Sequence, residues 1–465
     1  MDKNINCIMF VDNINELSKT IDKYLIPQEL EKKQNAEIST PYQLRQDMIN
    51  KIPIDFWNSP KKVFEPCSGK GGFLIDIIDM FMKHLQFNGN NKEKYKFIVE
   101  ECLYFSDINP TNIFIDKLLL DPFDEYKLNY NEGNTLELNI NEKWNIDGFN
   151  AVIGNPPYNS SGNVGTGNTI WQYFTKKALN NWLLIDGYLL FVHPSLWRKP
   201  ASDKSKLNGY FELMTSNNMM IYLEIHNATD GMKIFKCGTR YDWYLIQKKI
   251  NDNYDNDNNT IIIDEDGVKN IVNLTTLEWL PNSNIELITN MISTTKNNCL
   301  DILCNFSYSR LNKDFVSSNK SKVFRYPLIY LTPSTGVRKM YSKVNNKGHF
   351  GVSKVIIGET GVYNSLNDFD GKYGMTQDSF GIIIKSYNEG ENILRAIKSE
   401  KFIKLLKNSC SWSNFRIDWR LFTYLKKDFW KEFIEEHNDK LIDRIDNLLN
   451  DIKNTIKCID DIIKQ

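Results

Sequence analysis

Asn155-Pro156-Pro157-Tyr158 follows directly on the apolar run Ala151-Val152-Ile153. An amide oxygen, a main-chain carbonyl stiffened by a Pro-Pro pair, and an aromatic face therefore sit within four residues of one another. A planar NH2 whose lone pair is delocalised into a ring is a poor nucleophile. Two acceptors placed on its two hydrogens favour a pyramidal nitrogen with a usable lone pair. The Asn155 side-chain oxygen supplies one acceptor and the Pro156 carbonyl the other. Neither changes its own protonation, so their help is electrostatic. Tyr158 offers a face on which a flat ring can stack. As a bare tetrapeptide this would be only a turn closing a strand; a glycine motif upstream gives it more weight.

That motif is Val63-Phe64-Glu65-Pro66-Cys67-Ser68-Gly69-Lys70-Gly71-Gly72-Phe73. A strand runs into a glycine-rich turn and a helix follows, so backbone can approach a ligand where side chains would collide. It lacks the GK[ST] ending of a phosphate loop. Glu65 is placed to stand beside positively charged groups of that ligand. At the end of the next strand comes Ser106-Asp107-Ile108-Asn109-Pro110. A carboxylate there can accept hydrogen bonds from both ribose hydroxyls of a nucleoside; the plainer reading makes Asp107 a helix N-cap. The 107 − 65 = 42 residues from Glu65 to Asp107 exceed the usual spacing of about 20. The polar stretch Asn88–Lys94 reads as the inserted loop responsible.

These residues need elements to hold them. Short β-branched or aromatic runs at Lys61–Glu65, Phe97–Ser106, Phe149–Ile153, Tyr188–Val192, Met220–Ile225 and Arg240–Gln247 alternate with helix-like Phe73–Leu85, Thr111–Leu120 and Ile170–Leu184. The alternation predicts βαβ units on a largely parallel sheet, which binds ligands at the carboxyl ends of its strands. The expected organisation is a helical lead-in (1–38), an α/β catalytic domain (39–255), a connector (256–300), an α+β domain (301–435) and an amphipathic C-terminal helix (436–465). In that last segment Ile445, Leu449, Ile452, Ile456, Ile459 and Ile463 recur at steps of four and three, a seam suited to docking on its own domain or to a dimer.

The whole chain of 465 residues carries a net charge of −1, so no overall field draws it towards nucleic acid. Local asymmetry can. Residues 301–435 hold 22 Lys/Arg against 13 Asp/Glu, and 301–350 hold nine against two. Aromatics interleave there, as in Phe324-Arg325-Tyr326 and in Ser411–Arg420. The eight cysteines are scattered without metal-ligand spacing, which argues against a structural metal and against a disulfide framework. Neither a secretion signal nor a bilayer-spanning apolar run is evident, so a cytoplasmic protein, or a host-cell intracellular one if virally encoded, is expected.

The order Thr40-Pro41, Glu65–Phe73, Asp107, Asn134, Asn155–Tyr158 and Phe235 resembles that of N6-adenine DNA methyltransferases of the gamma arrangement, the NPPY type found in type II restriction–modification systems. The resemblance covers residues 38–250 at motif level; beyond 300 it rests on layout and composition. It implies a Rossmann-like S-adenosylmethionine-dependent domain with a mixed sheet, followed by an α+β target-recognition domain. S-adenosyl-L-methionine would be held by Thr40 and Pro41, Glu65, Pro66, Gly69, Gly71, Asp107, Asn134 and Asn155. Asn134 stands where the family usually has Asp. Asn155, Pro156 and Tyr158 would carry catalysis, with Tyr158 and Phe235 stacking on a flipped adenine of double-stranded DNA. His193, in Phe191–Arg198, is expected to be structural. A cognate restriction endonuclease acting on the same site is the implied partner, with no metal and no membrane. An RNA-adenine or protein-glutamine N-methyltransferase, a combined restriction–modification enzyme and a silent specificity subunit stand as alternatives.

Overall fold

The computed structural model describes residues 14–27, 37–160, 169–249, 258–293, 295–304, 308, 312–412, 416–434, 448 and 452. The chain divides into two compact units, Met1–Leu280 and Pro281–Gln465. The C-terminal isoleucine seam lies outside the described residues, apart from an exposed Ile452.

The first unit is built on one sheet. Its strands are β1 (Val63–Glu65), β2 (Leu103–Asp107), β3 (Asn129–Glu132), β4 (Phe149–Gly154), β5 (Leu183–Pro194), β6 (Met219–His226), β7 (Tyr241–Gln247), β8 (Asn259–Ile263) and β9 (Lys269–Asn273). They lie in the order β3-β2-β1-β4-β5-β7-β6-β8-β9. From β3 to β5 neighbours are parallel, while β7 runs antiparallel to β5 and β6. This is the expected Rossmann-like α/β domain with a mixed sheet. The central strands are apolar on both faces because both are covered. Val63, Ala151 and Ile153 pack into one core with Leu74, Ile77 and Phe81 of the helix Gly72–His84. Phe64 faces the other way, stacked on Phe149 at 4.7 Å and edge-on to Trp182 at 5.3 Å. Since β2 and β4 flank β1 on opposite sides, the chain leaves β1 and β4 in opposite directions. The crevice above their carboxyl ends is the natural ligand position, and Glu65, Asp107 and Asn155 all stand at its rim.

Four boundaries differ from expectation. Residues 97–102 are helical, and β2 starts only at Leu103. There Ile98, Val99 and Cys102 form the buried side of a helix rather than a strand. Asn88–Lys94 is not an open loop: Asn91–Phe97 is a helix set by a reciprocal Asn90–Glu93 capping box. Leu183 and Leu184 belong to β5, not to the preceding helix. The connector read over 256–300 is no connector in its first half. The β-branched run in β8 pairs with β6, with β9 outside it, so the division falls after Leu280 instead of residue 255.

The second unit is α+β. One sheet is β10 (Ile302–Cys304), β17 (Ser379–Ile383), β14 (Lys354–Gly358) and β15 (Gly361–Asp368); the other is β11 (Val316–Ser317), β13 (Arg338–Ser342), β12 (Tyr326–Leu331) and β16 (Gly374–Met375). Ile329, Ile356 and Met375 join the two sheets. Helices Tyr387–Lys398 and Glu400–Asn408 bury one face each.

Candidate active site

After Glu65 the chain turns through Pro66–Gly71 into the helix Gly72–His84. Two residues of the turn are left-handed, Gly69 at φ +56° and Gly71 at φ +78°. Their reasons differ. A Cβ on Gly71 would lie 2.7 Å from Asp116 Oδ1, so packing demands glycine there. A Cβ on Gly69 would meet nothing within 4 Å; this glycine bares its backbone to open space. Asp107 fixes the turn from the neighbouring strand, its Oδ2 accepting from the Gly69 N–H at 2.8 Å. Its Oδ1 accepts from the Asn109 N–H, also at 2.8 Å. The N-cap of the following helix is Asn109, not Asp107.

The open space is a cavity of about 430 Å³, within the size range of sites for small organic ligands. Gly69, Asp107, Asn134, Asn155, Pro156 and Tyr158 all line it. Thr40 and Glu65 line a smaller adjoining pocket that shares Gly69 and Asn155 with the first. The Asn155 amide is the most informative group. Its Nδ2 donates to Thr40 Oγ1 at 3.1 Å and to the Ile38 carbonyl at 3.4 Å. Its Oδ1 is buried and has no hydrogen-bond partner among the described residues. A buried, unpaired acceptor is costly unless something supplies a donor. The Tyr158 hydroxyl is likewise buried without a partner there, and its pKa is raised, first by burial and then by the nearby Tyr241.

Acidic groups surround the turn. Glu65 is buried, its Oε2 unpartnered among the described residues. Burial, then Asp116, pushes its carboxyl well above the usual range, against a lowering pull from Arg45. Burial raises Asp107 to about 6, although its two backbone hydrogen bonds act the other way. Asp116, buried beside Ser68, is also raised well above its usual value, chiefly by burial. Acceptors thus outnumber the donors that face them, which suits a ligand bringing positive charge, an amino group and hydroxyls. S-adenosylmethionine has all three, so these residues fit it.

Pro41, Pro66, Gly71 and Phe235 line neither cavity. Pro41 starts the helix Tyr42–Ile49. The Pro66 carbonyl accepts from Thr135 Oγ1 at 2.8 Å. Phe235 is buried in the main core, edge-on to Tyr241 at 4.9 Å. Asn134 is at the rim, but its oxygen already caps a short helical turn by accepting from the Leu136 N–H at 3.2 Å. His193 is fully buried against Trp171, with burial pushing it down to about 3; a neutral packing role fits. The sequence reading missed Glu37, Ile38 and Phe174, which line the larger cavity, and Arg45, which lines the smaller. No motif marks them.

In the second unit, exposed cations lie over aromatic rings: Arg325 on Tyr326 (4.9 Å), Lys343 on Phe324 (5.2 Å), Lys339 on Tyr373 (5.0 Å) and Lys347 on Phe315 (5.7 Å). Between residues 312 and 350 the only acid among eight cations is Asp314. Such a surface offers charges for phosphates and flat faces for bases. Among the described residues, no helix is long and apolar enough to cross a membrane.

The family model for Eco57I restriction-modification methylase matches residues 101–235, the stretch from β2 through β4 and β5 to the helix Ala228–Phe235. No curated protein matches the chain. Among solved structures, similarity extends to the modification subunit of a putative type I restriction enzyme from Vibrio vulnificus YJ016, at 14% identity over 55% of this chain and 53% of that one, with a TM-score of 0.38. A putative class I S-adenosylmethionine-dependent methyltransferase from Listeria monocytogenes aligns at 13% identity, over 54% of this chain and 73% of that one (TM-score 0.35). The type IIL restriction-modification enzyme MmeI, in complex with DNA, aligns at 11% identity over 88% of this chain and 70% of that one (TM-score 0.48). The match spans about half the length of the Vibrio vulnificus subunit.

Proposed function

Starting from the match of residues 101–235 to the Eco57I restriction-modification methylase family, we propose that this chain is an S-adenosylmethionine-dependent DNA methyltransferase acting on the N6 amine of an adenine rotated out of duplex DNA. The observation that carries the reading is the Asn155 oxygen, buried and unpartnered among the described residues, on a residue that lines the cavity beside the glycine turn. Bound S-adenosylmethionine supplies an electrophilic methyl group on a positively charged sulfur. The chain's own residues do the rest. Asp107 accepts from ribose hydroxyls, Glu65 faces the cationic end, and the bare backbone at Gly69 lets the ligand lie close. Asn155 Oδ1 and the Pro156 carbonyl accept hydrogen bonds from the two amine hydrogens, one of which leaves to solvent as a proton once the nitrogen is methylated. Tyr158 gives the base a surface to stack on, offsetting the few kcal/mol that base rotation costs. Holding nitrogen and methyl in line supplies much of the rate.

The basic second unit favours a nucleic-acid substrate over a protein amide, and residues 301–435 are assigned to target recognition. A cognate endonuclease reading the same site is the partner such a modification enzyme implies. The test is transfer of labelled methyl to duplex DNA, with RNA and protein acceptors in parallel. N6-methyladenine in DNA supports the reading; label confined to RNA or protein replaces the substrate and keeps the Asn155 chemistry.

A second expected result concerns the charged face. Changing Arg325, Lys339 and Lys343 together to Gln should weaken DNA binding at physiological salt. It should also flatten the plot of log affinity against log salt by about 0.9 for each phosphate no longer neutralised, roughly 2 to 3 in all. An unchanged slope would move the DNA to another surface.

A further inference from the structure

Asn155 can accept from a substrate only if its amide is turned the right way, and nothing in Asn-Pro-Pro-Tyr itself decides that. The surroundings do. The Ile38 carbonyl can only accept, so the group facing it at 3.4 Å must be the NH2. The second amide hydrogen goes to Thr40 Oγ1 at 3.1 Å. With both hydrogens committed, Oδ1 is the amide atom left without a partner among the described residues.

Thr40 is in turn held by a buried arginine. Arg45 donates from Nη1 to the Thr40 carbonyl and to Asp22 Oδ1 (2.7 Å), from Nε to Asp76 Oδ2 (2.6 Å), and from Nη2 to Ser18 Oγ (2.7 Å). Ser18 Oγ donates to Asp76 Oδ1 at 2.6 Å. Asp22 also accepts from the Tyr42 N–H. One guanidinium thus ties the helix Ile14–Tyr24, the helix Gly72–His84 and the strap Ile38–Thr40 together. Its own contact with the turn is close, since a Cβ on Gly72 would sit 2.8 Å from Arg45 Cζ.

We propose that Thr40 is a positioning residue that sets the rotamer of Asn155, and that Arg45, clamped by Ser18, Asp22 and Asp76, holds the strap that does so. The helical lead-in therefore belongs to the catalytic apparatus. The proposal rests on Asn155 being the acceptor for the target amine. It gives the Thr40 hydroxyl a task distinct from closing over the cofactor.

The test is Thr40→Val, which keeps the shape and removes the acceptor, beside Thr40→Ser, which keeps the acceptor and removes the methyl. Single-turnover methylation of unmethylated duplex DNA of mixed sequence is measured at saturating S-adenosylmethionine, and affinity for S-adenosylhomocysteine by calorimetry. Thr40→Val should transfer methyl about 10- to 100-fold more slowly, the usual cost of losing a group that orients a reacting one. Its affinity for S-adenosylhomocysteine should stay within about twofold of the wild type, and Thr40→Ser should recover most of the rate. The side-chain NH2 of Asn155, identified by its loss in Asn155→Ala, should exchange with water faster in Thr40→Val than in the wild type. A wild-type rate in Thr40→Val overturns the proposal. So does lost affinity at an unchanged saturated rate, which would put the hydroxyl on the cofactor. Equal slowing in both variants would make the methyl, not the acceptor, the important group. Arg45→Lys, a single ammonium in place of a fork, should slow transfer in the same direction. A wild-type chain that binds S-adenosylhomocysteine yet methylates no DNA would instead remove the functional reading beneath the proposal, and the NH2 exchange would still report on the strap.

Discussion

Asn155→Ala is expected to lower the rate of methyl transfer by about 10²- to 10³-fold, the effect of deleting one preorganised polar group that acts in the transition state. The argument is one of burial. Oδ1 is withheld from water and finds no partner among the described residues, so the cost of desolvating it has already been met when substrate arrives. A donor placed there gains more than it would from a hydrated amide. Affinity for S-adenosylhomocysteine should change little, because Asp107, Glu65 and the bare Gly69 backbone remain. The fall should therefore appear in the rate at saturating cofactor, with dissociation constants near those of the wild type. Substantial turnover in this variant would sink the mechanism.

The second large effect is set by pH. Asp107 is raised to about 6 from an ordinary 3.8, with burial the first cause. An acid whose folded value lies above its unfolded value binds protons more tightly in the folded chain. Its contribution to stability is complete below about 3.8 and is lost as pH rises through about 6. At neutral pH the folded protein thus carries a buried carboxylate at a cost on the order of 3 kcal/mol. A ligand donating hydroxyl hydrogens to it favours the ionised form, so affinity runs opposite to stability. Binding should be level above about pH 7 and weaken by about tenfold at pH 5, where only about one Asp107 in eleven is ionised. Near pH 6 binding should release protons, measurable by calorimetry in buffers of different ionisation enthalpy. Asp107→Ala should bind weakly and lose this pH dependence. Equal wild-type affinity at pH 5 and pH 8 would remove Asp107 from the cofactor site.

Sequence reveals the parts of the site that are local. The run ending at Gly154 is apolar because β4 is covered on both faces, and Pro156-Pro157 then stops the strand, so both neighbours of Asn155 announce its place. The glycine turn is readable for the same reason. What cannot be read is what depends on distant partners. Arg45 looks like any surface arginine of a short helix. Its acceptors Asp22 and Asp76 lie 23 and 31 residues away, and only the fold brings them together. Asn88–Lys94 reads as loop because its polar composition conceals the capping box that starts a helix at Asn91. The placement of β8 and β9 escapes the sequence because a strand that covers an edge carries no chemistry of its own. Phe235 is the opposite case: an aromatic residue at the expected point in the chain packs in the core against Tyr241.

Because the strap takes both hydrogens of the Asn155 amide, that side chain has only lone pairs to offer a ligand. A ring that presents an exocyclic amine completes it. A ring that presents an oxo group at the same place would set oxygen against oxygen in a dry pocket, with no hydrogen left on the amide to turn towards it. Hypoxanthine, which has an oxo group in place of adenine's amine and a hydrogen on the neighbouring ring nitrogen, should therefore be refused at the site itself, whatever DNA sequence surrounds it. Polar mismatches of this kind are rejected far more sharply than differences of size. On the proposed function, the choice between amino and oxo bases would fall to a carbonyl and a hydroxyl, Ile38 and Thr40, that need never touch the base.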